Sequence, residues 1–111
     1  MDEIENWVAD HAKEKARAAK ILRPGTVVKH FKGKLYQVIG ECTHTETGEA
    51  LVVYQALYGE RKIWCRPKEM FLSRVDRKKY PRELQEYRME IFKNTLVEDD
   101  MTVIPGILTE A

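Results

Sequence analysis

The sequence predicts a mainly β fold, four short strands curled into a small barrel, with an N-terminal α-helix and a C-terminal helical extension. Ahead of Pro24, apolar residues recur at three- and four-residue steps, the spacing of a helix with one apolar face. Between Gly25 and Phe71, Thr, Val, Tyr and Ile become frequent, and Gly33, Gly40, Gly48 and Gly59 punctuate the run at short intervals. Beyond Phe71 a basic cluster leads into a second apolar pattern and then an acidic end. The predicted boundaries are residues 1–23 for the helix, 24–76 for the barrel and 77–111 for the extension and acidic tail.

The first element spans Asp2 to Leu22. Its apolar positions are Ile4, Trp7, Val8, Ala12, Ala19 and Leu22; Asp2 and Glu5 have the spacing of a capping box, and Pro24-Gly25 stops the helix. Trp7 and Val8 make too large a patch to leave wet. Their partner is either the barrel that follows or the same helix in a second copy, a homodimer of twofold symmetry.

Strands are expected at Thr26 to Phe31, Leu35 to Thr43, Ala50 to Tyr58 and Arg61 to Arg66. Lys32-Gly33-Lys34 forms the first turn, Glu46-Thr47-Gly48-Glu49 the second and Gly59-Glu60 the third. Alternation puts Tyr36, Val38, Gly40 and Cys42 on one face of the second strand, with Gln37 and Glu41 on the other. In the third strand Val52, Tyr54, Ala56 and Tyr58 share a face. Strands this short are too small for a sandwich but curl into a barrel, with Gly40 as a bend. After Pro81 a helix is expected through Leu84, Tyr87, Met89 and Ile91, followed by acidic residues and an apolar Val103-Ile104-Pro105.

With 111 residues, 43% apolar and 33% charged, the chain fits one small domain with additions and excludes a multidomain enzyme. Nineteen Lys and Arg against eighteen Asp and Glu argue against a globally basic nucleic-acid binder. No run approaches the roughly 20 apolar residues of a membrane span, and no signal-peptide pattern occurs, so a cytoplasmic protein with no membrane partner is expected. Cys42 and Cys65 are too few for a disulfide scaffold and suit a reducing compartment.

The middle of the chain resembles a small bacterial family, the domain of unknown function 1653. The resemblance rests on Gly25; His30, Phe31, Lys32 and Gly33; Tyr36 and Val38; His44, Glu46 and Thr47; Val52 to Tyr58; Trp64, Arg66 and Pro67; and Met70 and Phe71, in uninterrupted order. It implies an SH3-like barrel without an assigned activity, and leaves both ends of the chain as additions.

Two sets of side chains are candidates for binding. His30, Tyr36, His44, Glu46, Thr47, Tyr54, Trp64 and Arg66 combine polar groups with an aromatic wall, as small ligand pockets do. In this reading Arg66 forks onto a carboxylate or phosphate, Trp64 stacks on a ring or base, and the His44 to Glu49 hairpin gates the groove. The bland alternative makes the same aromatics the barrel core and the polar residues a lock on the hairpin. Arg77, Lys78, Lys79 and Arg82, with Tyr80 among them, form a strip suited to phosphates of RNA or single-stranded DNA, or else a solvated helix lead-in.

Metal and cofactor are not expected. Cys42 and His44 lie two apart, but no C-x2-4-C knuckle supplies the four ligands of a structural zinc. A Cys nucleophile would need a base, an orienting group and an oxyanion hole, and nothing in the strands offers the last. No catalytic residue is therefore assigned. The leading expectation is a non-enzymatic module binding a small anionic or aromatic molecule or nucleic acid; the alternative is an interaction or structural subunit assembling through its terminal helices.

Overall fold

Two glycines show how the chain reverses where it does. Gly33 (φ 106°) and Gly48 (φ 78°) occupy the left-handed region that L side chains avoid, and each sits in a hairpin turn. The computed structural model describes residues 3–93. In chain order the elements are α1 (Glu3–Ile21), β1 (Val27–His30), β2 (Leu35–Thr43), β3 (Ala50–Ala56), β4 (Ile63–Pro67), the single-turn helix α2 (Lys68–Phe71) and β5 (Met89–Lys93). The strands form one antiparallel open sheet in the order β4-β3-β2-β1-β5, so the last strand returns to pair with the first.

One register feature overturns an expected face. Val38 opposes Tyr54, but Gly40 opposes Val53, so Ile39 is an extra residue and the alternation switches there. Beyond this bulge Glu41 opposes Val52 and forms a 2.9 Å ion pair with Lys68 of α2, while Cys42 opposes Leu51. Cys42 therefore leaves the face of Tyr36 and Val38 and is exposed. Gly40 lies in the bulge, in keeping with its expected role as a bend.

The main core lies on one face of the sheet, and Val27, Leu57 and Leu35 form a smaller cluster apart from it. Val28, Val38, Val52 and Tyr54 from the strands meet Ile21 and Leu22 at the end of α1, Phe71 of α2 and Met89 of β5. Each large side chain removed from water there contributes about 1.5–3 kcal/mol. Arg17 clamps the helix: its guanidinium donates to the carbonyls of Leu72 (3.1 Å) and Met89 (2.8 Å) and lies 3.6 Å from the centre of the Tyr87 ring.

Only this end of α1 docks. Nineteen residues at 1.5 Å each make a helix of roughly 29 Å, and Trp7 (64% exposed), Val8 (52%), Ala12 and Ala19 stay outside the core. The Asp2–Glu5 capping pair lies outside the described side chains.

The expected helix after Pro81 is corrected. Residues 76–82 form turns, Tyr87 makes an isolated bridge to Arg74, and Met89–Lys93 is β5. The sheet edge decides this: β1 offers an unpaired side, and β5 takes it through Val28↔Ile91 and His30↔Met89. Met89 is thereby buried, whereas Leu84, expected on the apolar helix face, is almost fully exposed. The acidic tail and Val103-Ile104-Pro105 lie outside the described residues.

Candidate functional site

At the end of the sheet that carries the β1–β2 and β3–β4 turns, the inner face is aromatic and polar. Tyr36 meets Tyr54 and Tyr58 edge-on at 5.4 and 5.6 Å, and the hydroxyls of Tyr36 and Tyr58 share a 3.0 Å hydrogen bond. Burial and that bond push the Tyr36 phenol upward, so it stays neutral. Arg66 Nε donates to the Tyr54 hydroxyl (3.3 Å), and its Nη1 approaches Met70 Sδ at 3.0 Å. His30 stacks on Phe31 (4.5 Å) and meets Tyr36 edge-on (6.4 Å).

These groups border a cleft of about 370 Å³ whose walls include His30, Phe31, Lys32, Arg66, Val75, Asp76, Lys79, Tyr80 and Arg88. Phe31 and Tyr80 meet at 4.8 Å and form its aromatic side. Among the described residues, Lys32, Arg66, Lys79 and Arg88 make no salt bridge. Asp76 turns its Oδ1 to the backbone N–H groups of Lys78 and Lys79. Arg88 is steadied by donating Nε to Ser73 Oγ at 3.4 Å.

Burial and the surplus positive charge both act on His30. Burial, then Arg88, Lys32 and Arg66, push its imidazole down to about 4 from its ordinary 6.5. Its Nδ1 accepts the Lys32 N–H (3.0 Å), which leaves the proton of the neutral ring on Nε2. What the cleft presents to an anion is four cationic side chains against the single carboxylate of Asp76, with one neutral imidazole and two aromatic rings beside them.

The structure gathers some of the expected residues and separates others. His30 and Arg66 line the cleft, Tyr36 stands beside His30, and Tyr54 holds Arg66 from the core. Trp64, 48% exposed, instead borders a neighbouring cavity of about 290 Å³ with Ala56, Tyr58 and Lys62. His44, Glu46 and Thr47 lie at the far tip of the β2–β3 hairpin. Trp64 opposes Tyr54, and the tip lies beyond Ala50, four residues or roughly 13 Å along β3, so this hairpin does not gate the groove. His44 Nδ1 accepts the N–H groups of Glu46 (3.1 Å) and Thr47 (3.3 Å), and Thr47 Oγ1 accepts that of Glu49 (3.1 Å). These are turn-forming contacts.

The basic strip divides too. Lys79 lines the cleft, whereas Arg77 donates to the carbonyls of Glu83 and, at 3.2 Å, Gln85, bracing its own loop. Lys78 and Arg82 are exposed on the turns outside the cleft lining. Among cleft residues, Phe31, Lys32, Val75, Asp76 and Arg88 belong to neither candidate set. Phe31 and Lys32 adjoin His30 in sequence, a signal that was available; Arg88 reaches the cleft only because β5 pairs with β1.

A larger cavity, about 470 Å³, lies between α1 and the Arg74–Tyr87 bridge. Its charges balance, Lys13, Arg17 and Arg74 against Asp10, Glu14 and Glu86; Arg74 pairs with Glu14 and Glu86, and Tyr87 donates to Glu14 (2.6 Å). It therefore offers an anion much less than the cleft does. Among the described residues no group of three His, Cys, Asp or Glu side chains converges to hold a metal ion, and no helix is long and apolar enough to cross a membrane.

The sequence profile of the proteins of unknown function DUF1653 matches residues 26–84, which contain β1 to β4, α2 and most of the cleft. A crystal structure of a protein of that family from Bordetella bronchiseptica is similar at 30% identity and a TM-score of 0.50, over 60% of this chain and 82% of that one. Among curated proteins none matches. The profile spans more than half of the sequence, and the chain belongs to the DUF1653 family.

Proposed function

We propose that the protein is a non-enzymatic binding module whose His30–Arg66 cleft takes a phosphate-bearing aromatic ligand, a nucleotide unit being the simplest. The observation that carries this reading is the set of cations without a salt bridge, Lys32, Arg66, Lys79 and Arg88, around one cleft with Phe31 and Tyr80 at its side. A phosphate supplies negative charge beyond the single carboxylate of Asp76, and a base supplies a ring for the aromatic wall. The sheet is read here as an SH3-like barrel: β5 re-pairs with β1, register shifts bend β5 and β2, and strands three steps apart contribute to one cleft. The exposed free thiols of Cys42 and Cys65 fit a reducing, cytoplasmic setting.

Calorimetric titration with uridine monophosphate and with uridine tests the reading. The monophosphate is expected to bind and the nucleoside to bind at least tenfold more weakly, with Arg66→Ala and Lys79→Ala each weakening the monophosphate. Equal affinity of the two ligands, or no heat with either, would refute it.

The exposed outer half of α1 favours a second role beside the first. Trp7 stacks on His11 at 4.9 Å but is not covered, so the helix is available to pair with another copy.

A further inference from the structure

The aromatic surface does not end at the cleft. Lys34 Nζ lies 4.8 Å from the centre of the Tyr58 ring, Lys62 Nζ 6.0 Å from that of Trp64, and Lys32 Nζ 5.5 Å from that of Tyr80. These pairs come from the β1–β2 turn, the β3–β4 turn and the turn at residues 76–82. The first two turns lie at one end of the sheet, tied together by Leu57 N–H donating to the Leu35 carbonyl (3.0 Å). Ring contacts run without a break from Tyr80 through Phe31, His30 and Tyr36 to Tyr58, which borders the Trp64 cavity.

We infer that this lysine-edged aromatic rim is a track for a single-stranded polynucleotide, with one nucleotide in the His30–Arg66 cleft and further bases on Tyr58 and Trp64. The inference rests on the cleft reading above and names its ligand class. From Tyr80 to Tyr58 the rim follows four ring-to-ring steps of 4.8, 4.5, 6.4 and 5.6 Å. Each step exceeds the ~3.4 Å between stacked bases, so a mononucleotide on one ring leaves others free. Alternating cations and half-exposed rings suit a strand whose bases are unpaired, because every base presents a π face and every linkage a charge. Glu60 is a carboxylate at the Trp64 cavity, and it disfavours a phosphate close to that position while leaving the indole face available to a base.

Fluorescence anisotropy with labelled ten-nucleotide oligouridylate and oligothymidylate, competed by uridine monophosphate, tests the track. The oligomers are expected to bind at least tenfold more tightly than the monophosphate. If about four phosphates are engaged, affinity falls about fiftyfold from 50 to 200 mM salt. Trp64→Ala is expected to weaken the oligomers at least fivefold while leaving the monophosphate unchanged; Lys62→Glu, on an exposed turn, provides a second variant if the first unfolds. The arms separate RNA from DNA by the ratio of the two oligomer affinities. Equal affinity for oligomer and monophosphate would overturn the track and leave the cleft standing, and so would tight oligomer binding that ignores both variants. Failure of every ligand to bind would overturn both.

Discussion

His30 at the end of β1 and Arg66 on β4 line the same cleft, although β2 and β3 separate their strands in the sheet. In a flat sheet those strands would stand roughly 14 Å apart. Strand twist, the bulge in β2 and the length of the arginine side chain narrow the gap, and the Tyr54 hydroxyl fixes where the guanidinium stops. The cleft is thus made by the fold as a whole, and its residues are expected to respond to substitution differently from those of the hairpin tip.

Arg66→Ala removes a donor to Tyr54 and a cation from the cleft together. A loss of about 1 kcal/mol is expected, seen as a melting temperature lower by about 4–8 °C. Arg66→Lys keeps the charge but loses the fork, so it is expected to recover ligand affinity only in part. Calorimetry of both variants, thermal and by titration, checks the pair.

At the hairpin tip the opposite split is expected. His44→Ala leaves two turn N–H groups without their acceptor and costs about 0.5–1.5 kcal/mol, with ligand affinity unchanged. Glu46→Ala is expected to alter neither, since Glu46 enters the turn through its backbone N–H. Denaturant unfolding beside ligand titration reads both variants, and a His44 variant that loses affinity would return the tip to the site.

The difference between Arg66 and His44 marks how far the sequence could be read. Strand positions were legible because glycine turns and β-branched runs are local signals, and the observed strands fall within a few residues of the expected ones. The bulge at Val38/Gly40 was not, since one extra residue leaves composition unchanged and still moves Cys42 to the other face. Pairing of β5 with β1 is a long-range choice, so Tyr87 and Met89 at helical spacing suggested a helix that the sheet edge overrode. His30 and Arg66 were recognisable as candidates by residue type, but their convergence with Lys79 and Arg88 depended on that same pairing.

Arg17 is expected to be the most sensitive position on α1. Arg17→Met keeps the apolar stem but leaves the carbonyls of Leu72 and Met89 without their charged donor and removes the nearer of two guanidinium groups from the Tyr87 ring, Arg74 remaining 4.9 Å from its centre. A loss of about 2–3 kcal/mol and faster amide exchange in α1 are expected. Equal stability of variant and parent would show that Ile21 and Leu22 hold the helix unaided.

If α1 pairs between copies, Trp7→Glu is expected to convert a dimer to a monomer in sedimentation without lowering the melting temperature of the core, because Trp7 lies outside it. A parent protein that sediments as a monomer across the micromolar range would remove the assembly role and leave the cleft untouched.

The pH dependence of binding follows from His30. Its folded value near 4 lies below the ordinary 6.5, so between these limits the unfolded chain takes up a proton that the folded one refuses. The contribution of His30 to stability is therefore complete above pH 6.5 and lost as the pH falls toward 4. A phosphodiester seated beside Lys32, Arg66 and Arg88 opposes the charges that depress the imidazole and raises its value. Binding then draws in a proton, and affinity for a dinucleotide, whose linkage keeps its charge across this range, is expected to increase as the pH is lowered from 6.5 toward 4. His30→Gln keeps an amide donor, cannot take the proton, and is expected to flatten that slope. A His30 resonance that titrates at the same pH with and without ligand would place the phosphate elsewhere.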